Sequence, residues 1–583
     1  MVRTDRYENH CQANPQSGIA LIVVLILLGL LVGVLAVGFT GDLARQNKGD
    51  QQTADALAQA KEALIGYAAN YRDRNSPPSR VFGYLPCPDD VAALGTEGAE
   101  DPSCGAKDVT VIGRLPWKSL GVSALRDGQG ECLWYAVSGN FKANPPTDLL
   151  NWDTNGLLEV MTPDGTTFLA GTTASSRAAA VIFAPGAIIQ GQDRTPVANA
   201  PTCQGNYTAA NYLDTDLSSG INNASANPTA NALTRFIAAL NSDNTTVANA
   251  RFNDKVLFIT PAEIFSRAQK RSDFLTYLTN PAPLPNPNPG LLRVAADCIA
   301  QYGTKNSPAN NQALPWAAPV SLSNYGLPSF YQDASGTPAG RLPYNVVNTV
   351  AVVPNSMPGA GNVLLTSCPN WTTVGEFWNN WKDHLFYVVA DAHKPGSLLA
   401  TQPVPCDAAG AKCLSVDGVG PFAAVLIFAN PKRIGQSRNN DVNPAYSSVD
   451  KSNPANYLEG ANLTAIQAGS NTALVNWGKF SKTAGNDIVI CIRKDLTVDP
   501  TCTAIPTCAS DAAALLGYRS GATNNCKTGP KTVLQACTDL KDRIKSNNCS
   551  CKKAADKFIN KPCIDNLNDP TCAPIISNLS SCS

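Results

Sequence analysis

Histidine is nearly absent from this chain: His10, His384 and His393 are the three in 583 residues. So few leave little for a histidine-based metal centre, and no Ser/His/Asp grouping stands out to support nucleophilic catalysis. Charge is scarce as well. Charged residues make up 15% of the chain, where about a quarter is usual. The 45 basic residues balance 45 acidic ones, giving a formal net charge of zero. The balance gives no argument for nucleic acid, and no polybasic stretch offers itself to anionic lipid. With 44% hydrophobic residues the chain has material for sizeable cores, and its length suggests about three or four domains.

The candidates for chemistry are correspondingly thin. His384 lies in Trp-Lys-Asp-His-Leu-Phe-Tyr beside a strand-like run, and the Trp-rich surroundings favour packing. The acidic turns Asp127-Gly-Gln-Gly-Glu131 and Asp153-Thr-Asn-Gly156 present oxygen ligands suited to Ca2+. Neither completes a twelve-residue loop ending in Glu, and ordinary turn chemistry accounts for both. Glycoside hydrolysis needs two carboxylates, and nothing in the sequence selects a pair. The expectation is a protein that is not an enzyme, with no metal and no cofactor beyond the bare opening for Ca2+.

Cysteine, by contrast, is plentiful. There are 19, and setting aside Cys11, which precedes the long apolar segment, leaves 18, ten of them between Cys491 and Cys582. Crowding of this kind points to disulfides in an oxidising compartment. A metal site would need a CxxC pair or nearby His, and the tightest pair here is Cys549-Ser-Cys551. Cys87 with Cys104, and Cys406 with Cys413, are candidate local bridges.

The apolar segment is Ile19 to Thr40, 22 residues without a charge. At ~1.5 Å per residue it spans about 33 Å, enough to cross the hydrocarbon core of a bilayer. It is longer than a secretory signal core, and no Ala-x-Ala-like site closes it. A polar leader, ending Gln16-Ser17-Gly18, precedes it. Beyond Asp42 the chain stays free of Pro up to Ser76. Ala54, Leu57, Lys61, Leu64, Ile65, Ala68 and Tyr71 recur at spacings of three and four, one face of an amphipathic helix, on which the Lys61 ammonium would turn outward. Pro77-Pro78 ends the pattern. The whole reads as one rod of about 80 Å, half in lipid and half packed on a head.

These residues resemble the class III leader and N-terminal helix of type IV pilins and type II secretion pseudopilins. The resemblance implies cleavage by a prepilin peptidase between Gly18 and Ile19, and N-methylation of Ile19. It implies as partners other pilins or pseudopilins and the inner-membrane assembly platform. Location would be a single-pass inner-membrane anchor in a Gram-negative cell, head periplasmic, reaching the fibre tip or cell exterior after assembly. Most such subunits carry Glu at the fifth mature position; here it is Val23. A carboxylate in the bilayer costs about 3 kcal/mol on insertion scales, and the tip subunit has no neighbour ahead to pair with. Val23 therefore fits a tip or initiation role better than a shaft role. Gly29 and Gly33 form a GxxxG, a contact motif in membrane helices.

Beyond Pro78 short apolar runs are divided by Asn, Gly, Pro and Thr, a β-rich texture. Six landmarks recur in order. Leu115-Pro116-Trp117 is matched with Leu314-Pro315-Trp316, Leu133-Trp134-Tyr135 with Leu385-Phe386-Tyr387, and Val181-Ile182-Phe183-Ala184 with Leu426-Ile427-Phe428-Ala429. Gly-Gln-x-Arg follows at 191–194 and 435–438. Asn211 to Asp214 matches Asn456 to Glu459, and Asn253-Asp254 matches Asn486-Asp487. The pattern indicates a tandem duplication. The first block also resembles the head of a group of prepilin-like proteins, through Lys61–Ala68 (KEALIGYA), Leu85–Asp89 (LPCPD), Gly113–Trp117 (GRLPW) and Gly130–Ser138; Asn456–Gly460 (NYLEG) in the second block is the closer copy of a further element.

The expected fold class is α+β: a long N-terminal pilin-type helix, a β-rich duplicated head and a disulfide-rich C-terminal module. The divisions are 1–18 leader, 19–41 transmembrane half-helix, 42–76 amphipathic half-helix, 77–280 first repeat, 281–313 Pro-rich linker, 314–495 second repeat and 496–583 Cys-rich module. The functional expectation is a minor pilin or pseudopilin, initiating or capping a fibre. The alternatives are a pilin-anchored adhesin or ligand-binding protein, and a signal-anchored periplasmic protein outside any fibre.

Overall fold

The computed structural model describes residues 47–582 apart from 75–80, 91–95, 164, 199, 239–251, 282–288, 306–312, 347–367, 369–370, 396–413, 439–448, 470–477, 484, 504–507, 518–534, 547–548 and 561–570. The leader, the apolar run Ile19–Thr40 and Val23 lie outside the described residues. Among the described residues no helix is long and apolar enough to cross a membrane. The protein is of mixed α and β structure and divides into two compact units, 1–414 with 422–500, and 415–421 with 501–583.

Helix α1 covers 47–69 and passes into a 3-10 turn at Tyr71–Arg74. Its buried face carries Thr53, Ala56, Leu57, Ala60, Leu64, Ile65 and Ala68. Ala54, expected on this face, is exposed, because Thr53 turns inward to accept the Gly128 N–H (2.9 Å). Lys61 does not turn outward either. Its ammonium lies 2.6 Å from Glu263 Oε1 and donates to the Phe258 carbonyl (2.9 Å).

The face of α1 joins one side of an antiparallel sheet in a common core. The sheet runs β1 (Val111–Arg114), β2 (Trp134–Val137), then β5 (Ala180–Ala184) and β7 (Lys255–Ile259). Its other side is covered by β3 (Leu158–Met161), β4 (Phe168–Ala170) and β6 (Thr234–Ile237), around Trp134, Val181 and Phe183. Three helices follow: α2 (Pro261–Gln269), α3 (Ser272–Thr279) and α4 (Leu291–Lys305). A Thr260/Glu263 capping box with Pro261 in the first turn starts α2 where the sequence chemistry places it.

The interval 281–313 was expected to be a Pro-rich linker. It holds α4 instead, with Leu291, Val294, Ala295, Cys298 and Ile299 buried. That 3.6-residue periodicity makes it a core helix. The second block therefore begins near 291 rather than 314, and both blocks share one hydrophobic core.

The second block contains β8 (Ala339–Arg341), α5 (Trp371–Trp381), β9 (Leu385–Val389), β10 (Leu414–Val416), β11 (Val419–Phe428) and α6 (Val449–Ser452). It ends with α7 (Gly460–Gly469), β12 (Lys479–Phe480), β13 (Ile488–Arg493) and β14 (Val498–Asp499). Strands β8, β9, β11 and β13 are ordered as β1, β2, β5 and β7 are.

Strand register corrects two of the six sequence matches. Tyr135 lies opposite Gly113 and donates to the Pro86 carbonyl (3.2 Å); Tyr387 lies opposite Gly340 and donates to the Pro315 carbonyl (3.1 Å). Asp89 bridges Arg114 as Ala318 bridges Arg341. Leu314-Pro315-Trp316 thus stands where Leu85-Pro86-Cys87 stands. The counterpart of Leu115-Pro116-Trp117 is Leu342-Pro343-Tyr344, within Gly340-Arg-Leu-Pro-Tyr344.

The second correction is a slip of one residue. Trp134 pairs with Phe183, but Phe386 pairs with Ile427; Val256 faces Phe183 as Val489 faces Ile427. Phe183 therefore corresponds to Ile427, not Phe428. A one-residue shift reverses the faces of a strand, and Phe428 belongs to the shared core while Phe183 belongs to the outer cluster.

The second unit is a ring of four helices, α8 (Cys508–Gly517), α9 (Gln535–Ser546), α10 (Lys552–Asn560) and α11 (Ala573–Ser580), each packed on the next and α11 on α8. Disulfides Cys508–Cys549 and Cys551–Cys582 staple it around Leu515, Ile544, Ala555, Phe558 and Leu579. Small cores of this kind need such staples.

The shared frame makes a checkable claim about two glycines. A Cβ at Gly340 would sit 2.0 Å from the Ala318 carbonyl oxygen, and one at Gly113 would sit 2.7 Å from Pro88 Cβ. Gly340→Ala and Gly113→Ala should each lower stability by roughly 1–3 kcal/mol, seen as a lower urea midpoint in tryptophan-monitored unfolding, with Gly340→Ala the worse.

Candidate functional site: a buried charge cluster between the blocks

The repeated motifs converge on one polar arrangement in each block. In the first, the Tyr212 ring lies between the guanidinium groups of Arg194 (4.8 Å) and Arg114 (5.5 Å). Arg194 donates to the carbonyls of Asn211 and Gly186, both at 2.9 Å, and to Gln192 Oε1 (2.7 Å). Gln192 in turn donates to Asp214 (2.9 Å), which also accepts the Asn253 N–H (2.6 Å).

The second block repeats this. Tyr457 lies between Arg438 (4.5 Å) and Arg341 (4.4 Å). Arg438 donates to the Asn430 carbonyl (3.0 Å) and Gln436 Oε1 (3.2 Å), and Gln436 donates to Glu459 (2.9 Å). The motifs recur because a buried arginine needs its whole set of acceptors at once. Burial also raises a matched carboxyl in each block, Asp254 well above its usual range and Asp487 to about 7.

The two copies differ in where the arginine finds its carboxylate. Arg194 pairs with Glu131 of its own block (3.1 Å). By strand register Glu131 and Cys132 stand where Asp383 and His384 stand. Cys132 is bonded to Cys203 within its block, whereas Arg438 and His384 both reach into the first block. There Asp153 Oδ2 lies 2.8 Å from His384 Nε2 and 3.2 Å from Arg438. The other imidazole nitrogen, Nδ1, lies 2.9 Å from Asp383 Oδ1. Asp383 also meets the Lys451 ammonium, the Tyr457 hydroxyl (3.2 Å) and Asn151 Nδ2 (3.0 Å). Trp152 Nε1 lies 2.9 Å from His384 Nε2, and its ring packs edge-on against Trp381, with ring centres 4.2 Å apart.

Burial opposes both charges, but Arg438 and then His384 hold the Asp153 carboxyl below its usual range, and Lys451 and His384 hold Asp383 well below. His384 and Asp383 have no exposed side-chain surface, and Asp153, Arg438 and Lys451 expose at most 1%. The cluster is sealed, so its chemistry is that of a fastening. It joins the turn 151–153 of the first block to three segments of the second.

Asp153, expected in an ordinary turn, is thus a buried anchor, and His384 adds contacts with two carboxylates to the packing expected of it. Asp127 spends its carboxylate on backbone, accepting from Gln129 and Glu131 at one oxygen and from Gly186 (2.8 Å) at the other. Cys87 and Cys104 are joined by a disulfide; Cys406, Cys413, Gly18 and Ile19 lie outside the described residues. Among described residues no group of three metal-binding side chains gathers. Arg341, Lys451 and Asp383 were not singled out in the sequence. The repeat Gly-Arg-Leu-Pro-aromatic, at 113–117 and 340–344, was the signal that marks Arg341. No protein-family model matches this chain, nor does any curated protein or solved structure.

Two measurements test the cluster. Asp153→Asn leaves Arg438 short of a buried counter-charge and should cost about 3–5 kcal/mol in urea unfolding. Lys382, buried beside Asp383, has its amine pushed down to about 7 from 10.5, chiefly by burial. The unfolded lysine therefore binds more protons between those values, and stability should rise with pH across that window. Lys382→Met should remove this rise, leaving the pH 7–10 stability profile flatter than that of the parent.

Proposed function

We propose that this chain is a minor type IV pilin or pseudopilin, tethered in the inner membrane through Ile19–Thr40 and acting as a structural tip or initiation subunit of a fibre. The observation that carries the reading is α1. It follows the apolar run in sequence and buries its apolar face on a four-stranded antiparallel sheet. A half-exposed helix held this way is what the resemblance of residues 1–78 to pilins implies for the lower half of the rod. Processing between Gly18 and Ile19 and partnership with the prepilin peptidase, other pilins and the assembly platform follow from the same reading.

Two features support its details. Two blocks on one core make a large head that is awkward to repeat along a packed shaft and unproblematic at an end. Disulfides suit a head outside the cytoplasm. The role is non-catalytic on this reading, since the histidine that gathers carboxylates is closed to any ligand.

Mass spectrometry of the mature N-terminus, on membrane and sheared surface fractions, tests the proposal. The expected result is a chain beginning at N-methylated Ile19 and present in the sheared material. A chain still beginning at Met1 and confined to membranes would sink it.

A further inference from the structure

The zero net charge of the chain conceals a separation. From Thr501 to Ser583 there are ten Lys and Arg against six Asp, a net +4, so residues 1–500 carry −4. Within the four-helix unit the excess gathers on α9 and α10. Lys545, in the last turn of α9, and Lys552, Lys553 and Lys557 on α10 are all exposed. The Cys549 N–H donates to the Ile544 carbonyl (3.1 Å), which folds the end of α9 back beside the start of α10. Two carboxylates are described nearby. Asp542 lies 3.5 Å from Lys541, and Asp556 is half-buried. Among the described residues no ion pair engages Lys545, Lys553 or Lys557.

The arrangement works against its own helix. Lys552 and Lys553 occupy the first turn of α10, which holds no acidic residue and where the helix dipole disfavours positive charge. Lys553 and Lys557 are like charges at i, i+4, a further small cost. Solubility alone would be served by charges placed without these costs.

The surroundings narrow the partner. The apolar side chains of both helices, Ile544, Ala554, Ala555, Phe558 and Ile559, are inside the module. None of the exposed large hydrophobics among the described residues belongs to this unit. Among the described residues, the face therefore has charge without an apolar anchor to enter lipid and without aromatic rings to stack on bases. Lysine ammoniums act as point charges on phosphate rather than as readers of base edges. We infer that the α9–α10 face of the cysteine-stapled module binds the phosphate backbone of duplex DNA, without sequence preference.

The test titrates the detergent-solubilised full-length chain into a fluorescently labelled duplex oligonucleotide of arbitrary sequence across a salt series. Four lysines should give a log–log salt slope of about −3 to −4. The Lys545→Gln/Lys552→Gln/Lys553→Gln/Lys557→Gln variant should weaken binding at least about tenfold and flatten that slope. Changing the oligonucleotide sequence should leave both unchanged. No binding at low salt, equal binding by the variant, or capture by phosphatidylglycerol vesicles with DNA ignored would each overturn the assignment; the parent's own salt slope decides the matter should the variant misfold.

Discussion

Asp153 is a carboxylate with almost no solvent, placed by one half of the head and neutralised by the other. Taking such a group out of water costs several kcal/mol, and the cost is offset only where hydrogen-bonded counter-charges are already in place. The groups that meet it, His384 and Arg438, come from the second block, and each is itself buried. Neither block can satisfy its part of the cluster alone. The shared hydrophobic core says the same in apolar terms, since residues from α1 through β13 belong to one cluster. The two blocks behave as one folding unit, although each builds its own sheet.

The joint rests on differences between the two copies. At the first of the two matched positions a glutamate pairs with the local arginine, and at the second a cysteine forms a local disulfide. In the later block those positions hold Asp383 and His384. Arg438, with Asp383 occupied by Lys451 and His384, turns to Asp153 instead. The network of the first block is self-contained and that of the second is bridging, while the Arg–Tyr–Arg stack is common to both.

Much of this frame was legible in the sequence, and the errors have physical causes. Repeated short motifs exposed the duplication because the buried arginine fixes so many of its neighbours. Identity of a triplet, however, does not fix its place. Leu-Pro-Trp occurs at 115–117 and 314–316, yet the backbone roles match Leu342–Tyr344 and Leu85–Cys87 respectively. The Ile-Phe-Ala match slipped by one for a related reason: alternate faces of a fully buried strand are both apolar, so composition cannot report which side is which. The burial of α4 was hidden by the prolines before it. Asp153 gave no local signal at all, because its role depends on residues more than 200 positions away.

Charge shows the limit of averages most plainly. A chain whose total is zero invites the conclusion that electrostatics is unimportant, and that conclusion fails at both ends of the length scale. Inside the head, opposite charges are concentrated in one sealed cluster whose pairing depends on two blocks. In the cysteine-stapled unit, like charges accumulate on one exposed face at a local cost to the helix that bears them. Disulfides make the second arrangement tolerable. Bridges such as Cys508–Cys549 and Cys551–Cys582 hold the helices together by constraining the unfolded chain, so surface charge is released from any duty to stabilise the fold. The larger unit has the opposite division of labour, since the charges of its cluster are buried and hold its two blocks together.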